Sequence, residues 1–206
     1  KGEVLRLRAA VDGNGYIEFV YTLPKEGYRF GFEVVAEGIE NALDTSIPAA
    51  FTWSMNGFRH AKSAQYENRY TQLAYRHEND KYSTLSASGD DDDKEKNVEW
   101  ISYRQHFFSS ILIPKDPFEQ VTLTSADMTD EEVEASAYLK GFATETTLPY
   151  QRNRFEANFD WYMGPTDYTI LKNYDENLFE SISFGWGIIG WINTSVFYPL
   201  FGFLTG

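Results

Sequence analysis

What most constrains this chain is a two-residue hydrophobic rhythm that recurs from its start to about residue 161, broken at short intervals by turn-forming clusters. Side chains alternate faces along a strand, so this rhythm belongs to half-buried strands rather than helices. Glu3 to Ala10 sets Leu5, Leu7 and Ala9 on one face and Arg6 and Arg8 on the other. Asp12-Gly13-Asn14-Gly15 comes next, and Tyr16 to Leu23 alternates again through Ile17, Phe19 and Tyr21, so the two runs read as a hairpin. Further strands are expected over 28–34, 51–55, 68–77, 81–87, 121–125, 133–143 and 154–161. In the last of these, Phe155, Ala157, Phe159 and Trp161 point one way. Helical periodicity is almost absent before Gly164, and short strands at this spacing imply a mainly β sandwich.

Two stretches invite firmer expectations. Residues 98–114 (VEWISYRQHFFSSILIP) carry bulk at both odd and even positions, which predicts one long central strand. Asp90-Asp91-Asp92-Asp93-Lys94-Glu95-Lys96 places four carboxylates side by side, and their mutual repulsion predicts a solvated loop. Beyond Gly164-Pro165 the pattern changes: Thr166 or Asp167 can cap a short helix with Ile170, Leu171 and Tyr174 as its apolar side. The expected division is therefore a β-sandwich over 1–163 and a helical linker with an apolar segment over 164–206.

That segment is distinctive. Residues 181–206 contain no Lys, Arg, Asp, Glu or His. Glycines at 185, 187, 190 and 202, Pro199 and the polar Asn193-Thr194-Ser195 all disfavour a spanning helix. Trp and Tyr favour the headgroup level of a bilayer. The reading that fits best is a segment lying in the membrane interface, contacting lipid through Trp186, Ile188, Ile189, Trp191, Ile192, Val196, Phe197, Tyr198, Leu200, Phe201 and Phe203. A helix folded onto the chain's own core and a true span stay open as alternatives.

Composition narrows the function. A formal net charge of −13 argues against nucleic acid, whose affinity comes from neutralised phosphates. There is no cysteine, hence no disulfide and no thiolate metal site. His60, His77 and His106 are far apart in sequence, and neither a G-x-S-x-G elbow nor a phosphate-binding glycine loop occurs. No catalytic residue, metal site or cofactor is expected. The aromatic content of 17% leaves two explanations, rings exposed for stacking on sugars or rings filling the space between two sheets.

Several of these residues also form a known pattern. Gln105-His106-Phe107-Phe108 in an aromatic strand, Gly164-Pro165 closing the last strand, Phe184-Gly185-Trp186, and Pro199-Leu200-Phe201 occur in this order. The chain resembles the large periplasmic domain of the YidC membrane protein insertases of Bacteroidetes, with Gln105, Phe107, Phe108, Gly164, Pro165, Gly185 and Pro199 as its structural motif residues. The resemblance implies a β-supersandwich of galactose-mutarotase-like type on the periplasmic face of the bacterial inner membrane. It implies Sec-translocon subunits and nascent membrane proteins as partners, a transmembrane helix ahead of the domain and a multi-helix insertase core after residue 206. The family's intramembrane groove lies in that core, so no position here inherits it. The early strands of the family's domain have no evident counterpart, which predicts that this chain is its later part. A carbohydrate-binding or sugar-processing β-sandwich of the cell envelope is the alternative.

Overall fold

The structure, a computed structural model, describes residues 2–11, 15–39, 42, 44–78, 81–129, 132–150 and 154–182. It divides into two compact units, Lys1–Thr166 and Asp167–Gly206. The first holds all the described strands: β1 (Glu3–Val11), β2 (Gly15–Leu23), β3 (Arg29–Glu37), β4 (Ala49–Phe58), β5 (Gln72–His77), β6 (Lys81–Thr84), β7 (Asp91–Val98), β8 (Trp100–Arg104), β9 (Phe108–Pro114), β10 (Phe118–Asp127), β11 (Tyr138–Leu148) and β12 (Arg154–Pro165). An eight-stranded sheet in the order β1-β2-β3-β12-β9-β8-β5-β6 faces a four-stranded sheet, β4-β11-β10-β7. The expected mainly β sandwich with short C-terminal helices is borne out.

Register explains the core. Neighbouring partners Leu5, Tyr21, Phe32 and Phe159 form one row across the large sheet. Exposure along it falls from 50% at Leu5 to 3% at Phe159. The small sheet has half as many strands, and its rings reach only the β12 side: Phe51 stacks on Phe159 at 5.2 Å and Trp53 on Tyr103 at 3.8 Å. Such aromatic pairs add about 0.5–1.5 kcal/mol beyond area burial. The Tyr103 hydroxyl donates to the Trp53 carbonyl (2.9 Å) and meets the Thr144 hydroxyl at 2.8 Å, and burial raises its pKa. The aromatic residues between the sheets are core, which removes the main support for the sugar-binding alternative.

Three expectations are corrected. The acidic run is not a loop but β7, paired with β10 from Asp91↔Ser125 to Val98↔Phe118. Adjacent carboxylates in a strand point to opposite faces, which separates neighbouring charges along the run. Those on the covered side have partners: Ser86 N–H donates to Asp91 (2.6 Å), the Tyr75 hydroxyl to Asp93 (2.5 Å), and His77 Nδ1 lies 3.3 Å from Glu95. The expected long strand over 98–114 is two strands, β8 and β9, folded back at Gln105-His106-Phe107. Finally, the strands expected from 68 and from 133 begin only at Gln72 and Tyr138. Residues Ala64–Asn68 form a short helix, α1, capped by Ser63, whose side chain accepts from Tyr66 N–H; Val133–Ala135 is a 3-10 turn.

In the second unit, Asp167 caps α2 (Tyr168–Leu171), its carboxylate accepting from Ile170 N–H at 3.1 Å, as the sequence predicts. The Thr169 hydroxyl, donating to the same carboxylate, is the largest cause of its lowered pKa. A 3-10 turn at Leu178–Ser181 comes next, with Tyr168 and Phe179 edge to face at 5.6 Å. Gly185, Pro199 and the residues from Trp186 to Phe203 expected at the membrane interface lie outside the described residues.

Candidate functional site: an aromatic end on the sandwich

Strands β4 and β12 end, and β11 begins, at the same end of the sandwich as the turn between β8 and β9. That turn has no Gly, Pro, Asn or Asp to shape it. Hydrogen bonds from elsewhere hold it instead. Gln105 N–H closes it on the Phe108 carbonyl (2.8 Å), and the Gln105 side-chain amide donates to the Phe58 carbonyl at the end of β4 (2.8 Å). Thr166 N–H donates to the Phe107 carbonyl (2.8 Å), while its hydroxyl lies 3.2 Å from the Gln105 carbonyl and 2.8 Å from Ser109 Oγ. With its backbone tied on three sides, the turn presents Phe107 and Phe108 outward, 45% and 51% exposed.

Other rings join them. His60 meets Phe108 at 5.8 Å and Phe58 at 5.6 Å, and Phe58 meets Tyr138 at 5.7 Å. His106 contacts Phe107 at 4.3 Å, Tyr70 at 4.8 Å and Tyr66 at 5.5 Å. Of these rings only His106 is half-buried, and the rest are exposed. The loop beneath them is well satisfied: the fully buried Glu67 carboxylate accepts from His60 N–H (2.8 Å) and Ala61 N–H (2.6 Å). Glu134 receives Ala64 N–H at 3.2 Å, and Arg59 donates to the Glu134 carbonyl. Below Tyr138, the fully buried Lys140 ammonium lies 3.6 Å from Asp127. Burial works to raise the Asp127 carboxyl, but hydrogen bonds from Thr129 and the Lys140 charge hold it below the usual carboxylate range.

Gly164 and Pro165 belong to the same end. Their partners across the ladder are Ser109 and Phe108. A Cβ on Gly164 would sit 2.5 Å from Tyr28 Cγ and 2.9 Å from the Tyr162 hydroxyl, so only glycine lets β12 pass there. The Pro165 carbonyl accepts from Tyr162 at 2.6 Å. The structure thus brings together Gln105, Phe107, Phe108, Gly164 and Pro165, separated in sequence by some sixty residues. Sequence reasoning missed Phe58, His60, Tyr66, Tyr70, His106 and Tyr138 as members of one surface; only the fold joins their four segments.

This geometry supplies a surface rather than reactive chemistry. Among the described residues, no group of three His, Asp or Glu side chains could hold a metal ion. A cleft of about 270 Å³ lies at the opposite end, lined by Asp116, Phe118, Glu119, Leu148, Glu156 and Phe159 among others. Among the described residues no helix is long and apolar enough to cross a membrane.

The family described as YidC periplasmic domain matches residues 2–199. The chain belongs to the YidC periplasmic domain family. Its relatives include proteins named membrane protein insertase YidC from Azobacteroides pseudotrichonymphae (32% identical over 98% of this chain and 34% of that protein). Those of Bacteroides fragilis (30%, over 97% of this chain and 33% of that protein) and Parabacteroides distasonis (30%, over 96% and 32%) bear the same name. The chain therefore spans about a third of the length of the curated relatives it matches. Membership in the YidC periplasmic domain family places it at the periplasmic face of the inner membrane. The resemblance carried by Gln105-His106-Phe107-Phe108 and Gly164-Pro165 is borne out for the family as a whole.

Proposed function

We propose that the chain is the non-catalytic periplasmic domain of a YidC-type insertase, supporting the insertion and folding of inner-membrane proteins. The observation that carries this reading is the family match over residues 2–199. Its partners are Sec-translocon subunits and nascent membrane proteins, met by the surfaces of the sandwich. Residues 1–163 form the body. Residues 164–206 link it to the bilayer, with the side chains from Trp186 to Phe203 in the interface, a role supported by the lack of charge after Glu180. No cofactor and no nucleic acid enter this function. Photo-crosslinking in cells tests it. With a photoreactive residue at Tyr138 or at Leu7, adducts with nascent inner-membrane proteins or translocon subunits are expected. Adducts with neither class, from either position, would overturn the reading.

A further inference from the structure

We propose that the aromatic end of the sandwich is a second bilayer-contact surface, carried on the folded body itself, whose rings seat at the lipid headgroup level. The inference rests on the membrane-face reading above. Its own basis is the geometry of the end. Phe58, Phe107 and Phe108 are each about half exposed, Phe58 and Phe108 joined through the His60 ring and Phe107 in a second group with His106, Tyr66 and Tyr70, although a soluble surface gains nothing from showing phenylalanine to water. The turn that carries two of them cannot fold inward to hide them, because Gln105 and Thr166 fix its backbone. Tyrosine and histidine rings border the phenylalanines, giving the mixture of apolar bodies and polar tips that suits the interface between hydrocarbon and water.

Charge agrees. In a chain of net charge −13, the connection from Gly57 to Tyr70 carries Arg59, Lys62 and Arg69; its one carboxylate, Glu67, is turned inward onto backbone N–H groups, and the neighbouring Glu134 carboxylate is taken up by Ser63 and Ala64 of the same connection. Lys62 and Arg69 are exposed and can reach phosphate oxygens, where the acidic remainder of the chain would be repelled from anionic lipid. The path of the chain agrees as well. The last strand leaves the body at Thr166, hydrogen-bonded to the aromatic turn, and the sequence then runs on to the uncharged aromatic residues after Glu180. A bilayer asks for exposed apolar rings and no matching shape, and this end of the sandwich supplies them.

The chain has no cysteine, so single cysteines can be placed and labelled with an environment-sensitive nitrobenzoxadiazole probe. Phe108→Cys, Phe201→Cys and Leu7→Cys variants of the 206-residue chain are mixed with phosphatidylcholine vesicles. Blue-shifted, brightened emission at 108 and 201 with none at 7 is the expected result. A response at 201 alone overturns the second surface and leaves the membrane-face reading standing; no response anywhere sinks both. A response at 7 equal to that at 108 means general adhesion and also overturns the proposal. As a second measurement, the Phe107→Ser/Phe108→Ser chain should partition onto the same vesicles about ten-fold more weakly with an unchanged circular dichroism spectrum. Unchanged partitioning overturns the proposal.

Discussion

Two parts of the sandwich show apolar side chains to water, and they are built in opposite ways. At the aromatic end the rings sit at strand ends, on α1 and in the connecting turns and lean on one another, over a base of hydrogen-bonded backbone and the buried Lys140 ammonium with its partner Asp127. At the β1–β2 margin the side chains stand singly along regular strands: Leu5 and Leu7 are about half exposed, and the outer edge of β1 has no neighbouring strand among the described residues. Opposite them, Arg6 and Arg8 hold Glu18 at 3.0 and 2.9 Å. The contrast teaches that exposure alone does not define a surface. One is held from beneath by hydrogen bonds that reach across several segments. The other is sheet that extends past the smaller sheet facing it.

Changes beneath the aromatic end should therefore cost more than changes at the margin. The largest effect is expected for Asp127→Ala, which leaves the fully buried Lys140 ammonium without its counter-charge and should cost about 3 kcal/mol in denaturant unfolding. Lys140→Met, which removes the charge instead of stranding it, should cost clearly less; equal losses would mean the ammonium is not the burden. Next, Gln105→Ala deprives the Phe58 carbonyl of its side-chain donor and should cost about 1–3 kcal/mol, with proteolytic nicking appearing near Phe107. A loss no larger than that of Leu7→Ser, expected within about 0.5 kcal/mol of zero, would erase the distinction between the two regions.

The smallest effect belongs to the margin. The Arg8 hydrogen bond is the main reason Glu18 is held below the ordinary carboxylate range, with Arg6 assisting against partial burial. A carboxyl depressed in the folded state stabilises above its unfolded pKa, and that contribution fades as falling pH protonates it. Thermal midpoints of the wild type and Glu18→Gln should therefore differ slightly near neutrality and converge as the pH falls through the lowered pKa of Glu18. A gap that does not change with pH would assign Glu18 a role in packing alone.

How much of this could be read in advance depended on where each residue's partners lie. The β1–β2 hairpin was legible because its partners are sequence neighbours and its alternation is uninterrupted. The α2 cap was legible for the same reason, since Asp167 bonds three residues ahead. β7 was not, because Tyr75, His77 and Ser86, which satisfy its carboxylates, lie on other segments. The break between β8 and β9 was hidden too: nothing in Arg104-Gln105-His106-Phe107 signals a turn, and the groups that make one belong to Phe58 and Thr166. The aromatic end shares that origin. Gln105, Phe107 and Phe108 could be singled out as a motif, but His60, Tyr66 and Tyr138 reach them only through the finished topology.

The placement of β12 has a mechanical consequence. It pairs with β3 over Arg154–Tyr162 and with β9 over Phe159–Pro165, the two ladders overlapping from Phe159 to Tyr162, and leaves the sheet at Thr166 with its last residues clamped to the aromatic turn. A pull from the chain beyond Thr166, directed along the strand, loads the β9 ladder and then the β3 ladder in shear, with both resisting together over Phe159–Tyr162. An edge strand such as β1, tugged sideways, would peel one bond at a time. The body is thus tethered to residues 167–206 through an interior strand loaded in shear rather than an edge strand that peels.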